Sequence, residues 1–91
     1  LLSWTEQGVR SIKDSPARLE AAKKTIRELG GELKSFHMTL GRHDMVVILE
    51  APSDEAAARF ALTLGQGGNV RTQTLKAFSE TEYRDIIGSL K

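Results

Sequence analysis

The stretch from Glu32 to Ala51, ELKSFHMTLGRHDMVVILEA, constrains the fold more than any other part of the chain. It reads as two strands joined by a tight turn at Gly41-Arg42-His43-Asp44. Leu33 to Leu40 alternates in polarity, the mark of a strand with two unlike faces. Met45 to Ala51 is almost continuously apolar, the mark of a strand covered on both sides. Gly41 tolerates positive φ, and Asp44 can bond nearby backbone. With two or four residues in the loop, Leu40 falls opposite Met45, Met38 opposite Val47 and Phe36 opposite Leu49. One face then shows Phe36, Met38, Leu40, Met45, Val47, Leu49 and Ala51, and we expect helices over it. The other shows Leu33, Ser35, His37, Thr39, Val46, Ile48 and Glu50. A one-residue slip would exchange the faces, so this assignment depends on the turn.

The rest of the chain alternates helix and strand signals around that hairpin. Leu1 to Trp4 reads as the end of a strand truncated at the N-terminus. Thr5 is an expected N-cap with Glu6 in the first turn, and Gly8 to Ile12 a short helical turn. Ser15-Pro16 is expected to cap and start a helix, whose Leu19, Ala22, Ile26 and Leu29 make a core stripe. Glu20 and Lys24 form an i,i+4 pair, and Gly30-Gly31 ends the helix. Pro52 breaks the second hairpin strand. Ser53 caps another helix, with Ala56, Ala57, Phe60, Ala61 and Leu64 on its apolar side. Gly65-Gln66-Gly67-Gly68-Asn69 is a loop, and Val70 to Ala77 a fourth strand. Ser79 and Glu82 make a capping box, and Phe78 and Tyr83 are spaced as a hydrophobic staple. Tyr83, Ile86, Ile87 and Leu90 are the expected buried stripe of a C-terminal helix.

The order strand, helix, strand, strand, helix, strand, helix predicts one α+β domain over residues 1–91. It is the ferredoxin-like βαββαβ plan, an antiparallel sheet with helices on one face, plus a C-terminal helix. Ninety-one residues can enclose a core without staples. With no cysteine the sequence has no disulfide framework and no thiolate zinc site. A net charge of +1 gives no reason to expect a nucleic-acid or membrane partner. No apolar run approaches 18 residues and no signal peptide is recognisable, so we expect a cytoplasmic protein. Val46 and Ile48 lie on the sheet face without helices. An exposed apolar face calls for a partner, and two such sheets packed together would enclose a cavity.

Four segments carry a family resemblance: Trp4-Thr5-Glu6-Gln7-Gly8, Ser15-Pro16-Ala17-Arg18-Leu19-Glu20-Ala21-Ala22, Gly41-Arg42-His43-Asp44, and Asn69-Val70-Arg71-Thr72. Together they resemble the GYD domain family, small and mainly prokaryotic proteins of poorly defined function. The family is named for a Gly-Tyr-Asp signature in the hairpin turn. Here His43 stands where the tyrosine usually is, which puts any function of that tyrosine in doubt. The resemblance implies a ferredoxin-like fold of the dimeric α+β-barrel type and no established reaction.

The residues themselves offer few sites. His37, on the mixed face, is the candidate catalytic residue, as a general base near working pH. It could also contact a ligand, and the plainer reading is an interface histidine bonded to its neighbours. Trp4 either closes one end of the sheet or lines a pocket. Glu50 is either a buried acid paired with Arg71 or His37, or a solvated strand end. Arg71 binds an anion or pairs with Glu50. With Thr39 and Ile48, these residues are the candidate ligand pocket. His37 and His43 should lie roughly 15–20 Å apart, at about 3.3 Å per residue along an extended strand, too far to share one ion within a subunit. We therefore expect no metal site and no cofactor. Gly65-Gln66-Gly67-Gly68 follows a helix and precedes a strand, the reverse of a phosphate cradle.

Three functional readings follow. The leading one is a small oligomeric binding or scaffold domain, a homodimer or higher homo-oligomer paired through its open sheet face. The alternative is a cofactor-independent monooxygenase- or isomerase-like enzyme, with a small organic molecule in an interface pocket and His37 as base. It rests on fold analogy. A third is an accessory protein that joins an assembly through its edge strands.

Overall fold

A computed structural model describes all of residues 1–91. Strand β1 (Leu2–Trp4) leads into α1 (Glu6–Arg10), a 3-10 turn (Ile12–Asp14) and α2 (Ser15–Glu28). The hairpin strands are β2 (Glu32–Met38) and β3 (Met45–Glu50). Helix α3 (Asp54–Gln66), β4 (Val70–Thr72) and α4 (Glu80–Gly88) complete the chain. The four strands form one open antiparallel sheet in the order β2-β3-β1-β4. Helix α2 packs on β2, α3 packs on β4, and the two helices touch each other. No helix is long and apolar enough to cross a membrane.

The hairpin register differs from the expected one by two residues. Met38 lies opposite Met45, His37 opposite Val46, Phe36 opposite Val47 and Ser35 opposite Ile48. The cause is the turn. The Thr39 N–H donates to the Asp44 carbonyl (2.8 Å), and the Thr39 hydroxyl donates to the His43 carbonyl (2.6 Å). These bonds tie Thr39 to Asp44 and leave Leu40 to His43 as the loop. Leu40 is therefore not on the apolar face but at the tip, 96% exposed. Because the shift is even, the faces keep their membership. Met45 is buried, and Phe36, Val47 and Leu49 are half-buried beside it under the helices. Ile48 is 50% exposed on the other side. Leu33 is the exception. A bulge between Leu33 and Ser35 puts it opposite Leu49, on the apolar face rather than the mixed one.

Helix starts follow local chemistry with one correction. Thr5 caps α1 through its side chain to the Gly8 N–H, and Ser53 caps α3 at the Ala56 N–H. Ser15 does not cap α2. The preceding 3-10 turn already holds it at helical angles (φ −55, ψ −43), so the helix starts on it. Along α2, Ile26 is fully buried, with Leu19, Ala22 and Leu29 half-buried on its stripe. Glu20 pairs with Lys23 at 3.2 Å rather than with Lys24. Across the sheet end, α1 is clamped to the loop before β4. The Thr5 hydroxyl donates to the Gly68 carbonyl (2.6 Å), the Thr5 N–H to the Asn69 carbonyl (3.0 Å) and the Gln7 amide to the Gly67 carbonyl (3.1 Å).

The C-terminal part departs furthest from expectation. Strand β4 ends at Thr72 instead of Ala77. Gln73 still exchanges both backbone bonds with Leu1, but the backbone of Thr74 to Ala77 makes no ladder bonds. The capping box of α4 forms as the sequence predicts, with Ser79 and Glu82 each bonding the other's backbone N–H. The Ser79 backbone N–H, then its hydroxyl, hold the Glu82 carboxyl below its ordinary value of 4.5. The helix nevertheless buries nothing. Every residue from Arg71 to Lys91 is exposed, including Tyr83, Ile86, Ile87 and Leu90, which the periodicity marks as buried.

The α1 clamp generates a test. A Cβ on Gly8 would collide with the backbone carbonyl of Asn69. Backbone cannot yield as a flexible side chain does, so Gly8→Ala should cost about 1–3 kcal/mol. A urea midpoint equal to that of the parent protein would show that the clamp is loose.

Candidate functional site

The hairpin turn and β1 meet at Asp44. Its backbone N–H donates to the Leu2 carbonyl (2.9 Å), and its carboxylate accepts from the Trp4 N–H (2.9 Å). Its carbonyl accepts from Thr39, as described above. One residue thus fastens β1 to the hairpin through its backbone N–H and its side chain, and closes the turn through its carbonyl. Gly41, at φ 134, supplies the backbone angle the loop needs. Arg42 is exposed at the loop tip, whereas His43 is half-buried.

An open depression of about 470 Å3 lies beside this junction. Its polar lining comes from Ser3, Glu6, His43, Arg71 and Thr72, with Trp4 as its main apolar wall. Arg71 stands opposite Ser3 in the β1–β4 ladder and has no ion-pair or hydrogen-bond partner. The Trp4 indole N–H is buried without an acceptor. A buried donor left unsatisfied costs about 1–3 kcal/mol; the pairing of Leu2 with Met45 puts the Trp4 side chain on the helix-covered side of the sheet, whereas Ser3 and Arg71 are on the open side.

Of the candidate pocket residues, the structure brings together Trp4 and Arg71, and adds His43 from the turn motif. His37 lies apart, exposed on edge strand β2, with no hydrogen-bond partner to fix its ring or tautomer. Ile48 lies on the open sheet face. Thr39 is half-buried with its hydroxyl spent on the turn. Glu50 is a solvated strand end whose neighbour is Lys34 at 4.0 Å, not Arg71 or His37. Such an exposed pair contributes little. No three His, Asp or Glu side chains gather closely enough to hold a metal ion. Ser3 carries no sequence signal, and Glu6 and Thr72 are marked only as a first-turn acid and by the family-like segments; Ser3 and Thr72 become neighbours through the register of β1 with β4.

A second, larger groove of about 1460 Å3 runs between α2, α3, β3 and the segment after β4. Its lining is mostly apolar, including Leu19, Ala22, Val47, Ala57, Ala61 and Leu75.

Fold and junction define a small α+β domain with a four-stranded antiparallel open sheet, helices on one face and a turn that pins the central strand. The chain belongs to the GYD domain family, whose model matches residues 1–87. No curated protein and no solved structure matches it.

The signature aspartate therefore has a structural task in this chain. Asp44→Ala removes a charge-assisted acceptor from the Trp4 N–H and should cost about 1.5–3 kcal/mol. Asp44→Asn keeps an acceptor oxygen and should cost less. Denaturant titration of both variants checks the order, and equal losses would contradict it.

Proposed function

We propose that this protein is a homo-oligomeric binding domain that pairs through its open sheet face, in the manner of ferredoxin-like dimeric α+β barrels. The strand order β2-β3-β1-β4, with helices on one side only, supports that reading. The observation that carries it is the uncovered face itself. Ile48 is 50% exposed there, beside half-buried Val46 and Ser35. Apolar side chains in the middle of a sheet cost free energy in water and are covered when two sheets meet.

A second reading places a small organic ligand at the end of that face. It is favoured by Arg71, which has no ion-pair partner, in the same depression as His43. The group recognised would offer a negative charge to the guanidinium, as a carboxylate does. Pairing of the sheets would also bring His37 to the enclosed space, where the enzyme reading needs its base.

Each reading has its own test. Ile48→Lys should convert the oligomer to monomer in native mass spectrometry while leaving the far-ultraviolet circular dichroism intact. An unchanged mass would refute pairing through this face. For the ligand, Trp4 is the only tryptophan and reports directly on its own site. Titration with small carboxylic acids should change its fluorescence, and Arg71→Ala should abolish the change. A response that survives Arg71→Ala would remove the guanidinium from the site.

A further inference from the structure

The larger groove is a gap within the sheet itself. Strand β3 meets β1 only at Met45 with Leu2, so Val46 to Glu50 have no neighbour on that side. Across the gap, Leu1 exchanges both backbone bonds with Gln73, and Thr74 to Ala77 then continue without ladder bonds. The groove is lined by Val46, Val47, Ile48 and Leu49 on one flank and by Thr74 to Ala77 on the other. Successive residues of a strand point to opposite faces. A groove that touches all of them lies between strands and not on one face.

The unmet backbone groups point into this gap from both flanks. Thr39 bonds Asp44 in the hairpin, and in an antiparallel ladder such bonded pairs recur every second residue. Val46 and Ile48 therefore turn their N–H and C=O toward β2, and Val47 and Leu49 turn theirs into the gap. On the far flank the Leu1–Gln73 exchange sets the phase, so Leu75 and Ala77 face the gap in the same way. Backbone polar groups inside a fold are nearly always paired. Helix α3 roofs the gap with Ala57, Phe60 and Ala61. Lys76 lies 4.0 Å from Asp54 at the start of that helix, which keeps the far flank beneath it. The core is correspondingly thin. Only five of 91 residues are buried, and the accessible surface is 6968 Å2, whereas a folded monomer of this mass exposes about 5,200 Å2.

We propose that the gap is a binding site for one extended strand in line with β1, joined to the Leu1 nitrogen and about four residues long. Counting back from Leu2, which pairs with Met45 and Thr72, fixes its register. The residue joined to Leu1 falls between Val47 and Thr74, and the third falls between Leu49 and Lys76. Both face α3 and take apolar side chains. The second and fourth lie between Ile48 and Leu75 and between Glu50 and Ala77, on the open side. The strand completes the ladder on both flanks and extends β4 to Ala77, where the sequence alternation ends it. A covalent continuation is favoured over a separate peptide. Leu1 is already in the ladder, its charged amine at the mouth of an apolar gap becomes an amide, and a separate peptide loses translational freedom on binding. The site is complete within one chain and does not depend on pairing through the open face.

The test adds Thr-Val-Thr-Val before Leu1 of the full chain, with Gly-Ser-Gly-Ser as the control extension. The amides of Val47, Leu49, Leu75 and Ala77 should exchange with solvent at least about tenfold more slowly with the first extension and as in the parent protein with the second. The urea midpoint should rise with the first extension alone. Equal exchange in all three proteins, with equal midpoints, would overturn the proposal. Amides already protected in the parent protein would show the gap filled by another copy and overturn it too. Equal protection by the free peptide acetyl-Thr-Val-Thr-Val-amide would assign the gap to a strand from another molecule and overturn the covalent continuation.

Discussion

Asp44 holds three strands together at one point. Its N–H reaches Leu2 and its carboxylate reaches the Trp4 N–H, so it bonds two separate backbone groups of β1. Its carbonyl closes the β2–β3 turn on Thr39. Two of these are ordinary backbone bonds, each with a net value near 1 kcal/mol. The carboxylate bond is charge-assisted and half-buried, and so stronger. Without this junction, β1 would be held to β3 by a single residue pair, Leu2 with Met45. The position of β1 in turn sets β4, the clamp on α1, and the depression between them.

From that junction, two sets of surfaces with different needs can be traced. The helix-covered side depends on a few buried side chains, Ile26, Met45, Ala56 and Phe60, on α2, β3 and α3. It is apolar but leaves a wide groove. The opposite side has no cover at all, and the arm beyond β4 is equally bare. Both expose apolar side chains, and both lie on the same chain. The homo-oligomer proposed above would cover the open face, whereas a solvated monomer leaves it in water. This is why function here is read through assembly before chemistry. The polar groups that could act on a ligand, Arg71 and His43, line the depression beside the turn.

Much of the local structure is legible in the sequence because it depends on neighbours in the chain. The Thr5 and Ser53 caps, the Ser79–Glu82 box, the Gly30 stop and the apolar parity of Met45, Val47 and Leu49 need only short-range rules. Even the hairpin faces survive an error of two residues in register, because side chains alternate with period two. Failures occur where a distant segment intervenes. The turn loop contains Leu40 rather than Asp44 because Asp44 is drawn to β1, forty residues away in sequence. Leu33 changes face through a bulge that no alternation rule announces. Ser15 is denied its capping role by the turn that precedes it.

The sequence by itself determined which segments become helices and strands, where most of them start, and which face of the hairpin is apolar. These depend on backbone propensity, capping and periodicity, all properties of contiguous residues. Only the tertiary structure decided that Trp4, His43 and Arg71 share a depression, that Glu50 meets Lys34, and that α4 buries none of its stripe. Those outcomes depend on strand register and on which surfaces find cover. Periodicity can mark a helix face as apolar, but it carries no information on whether the surface that covers it belongs to the same chain.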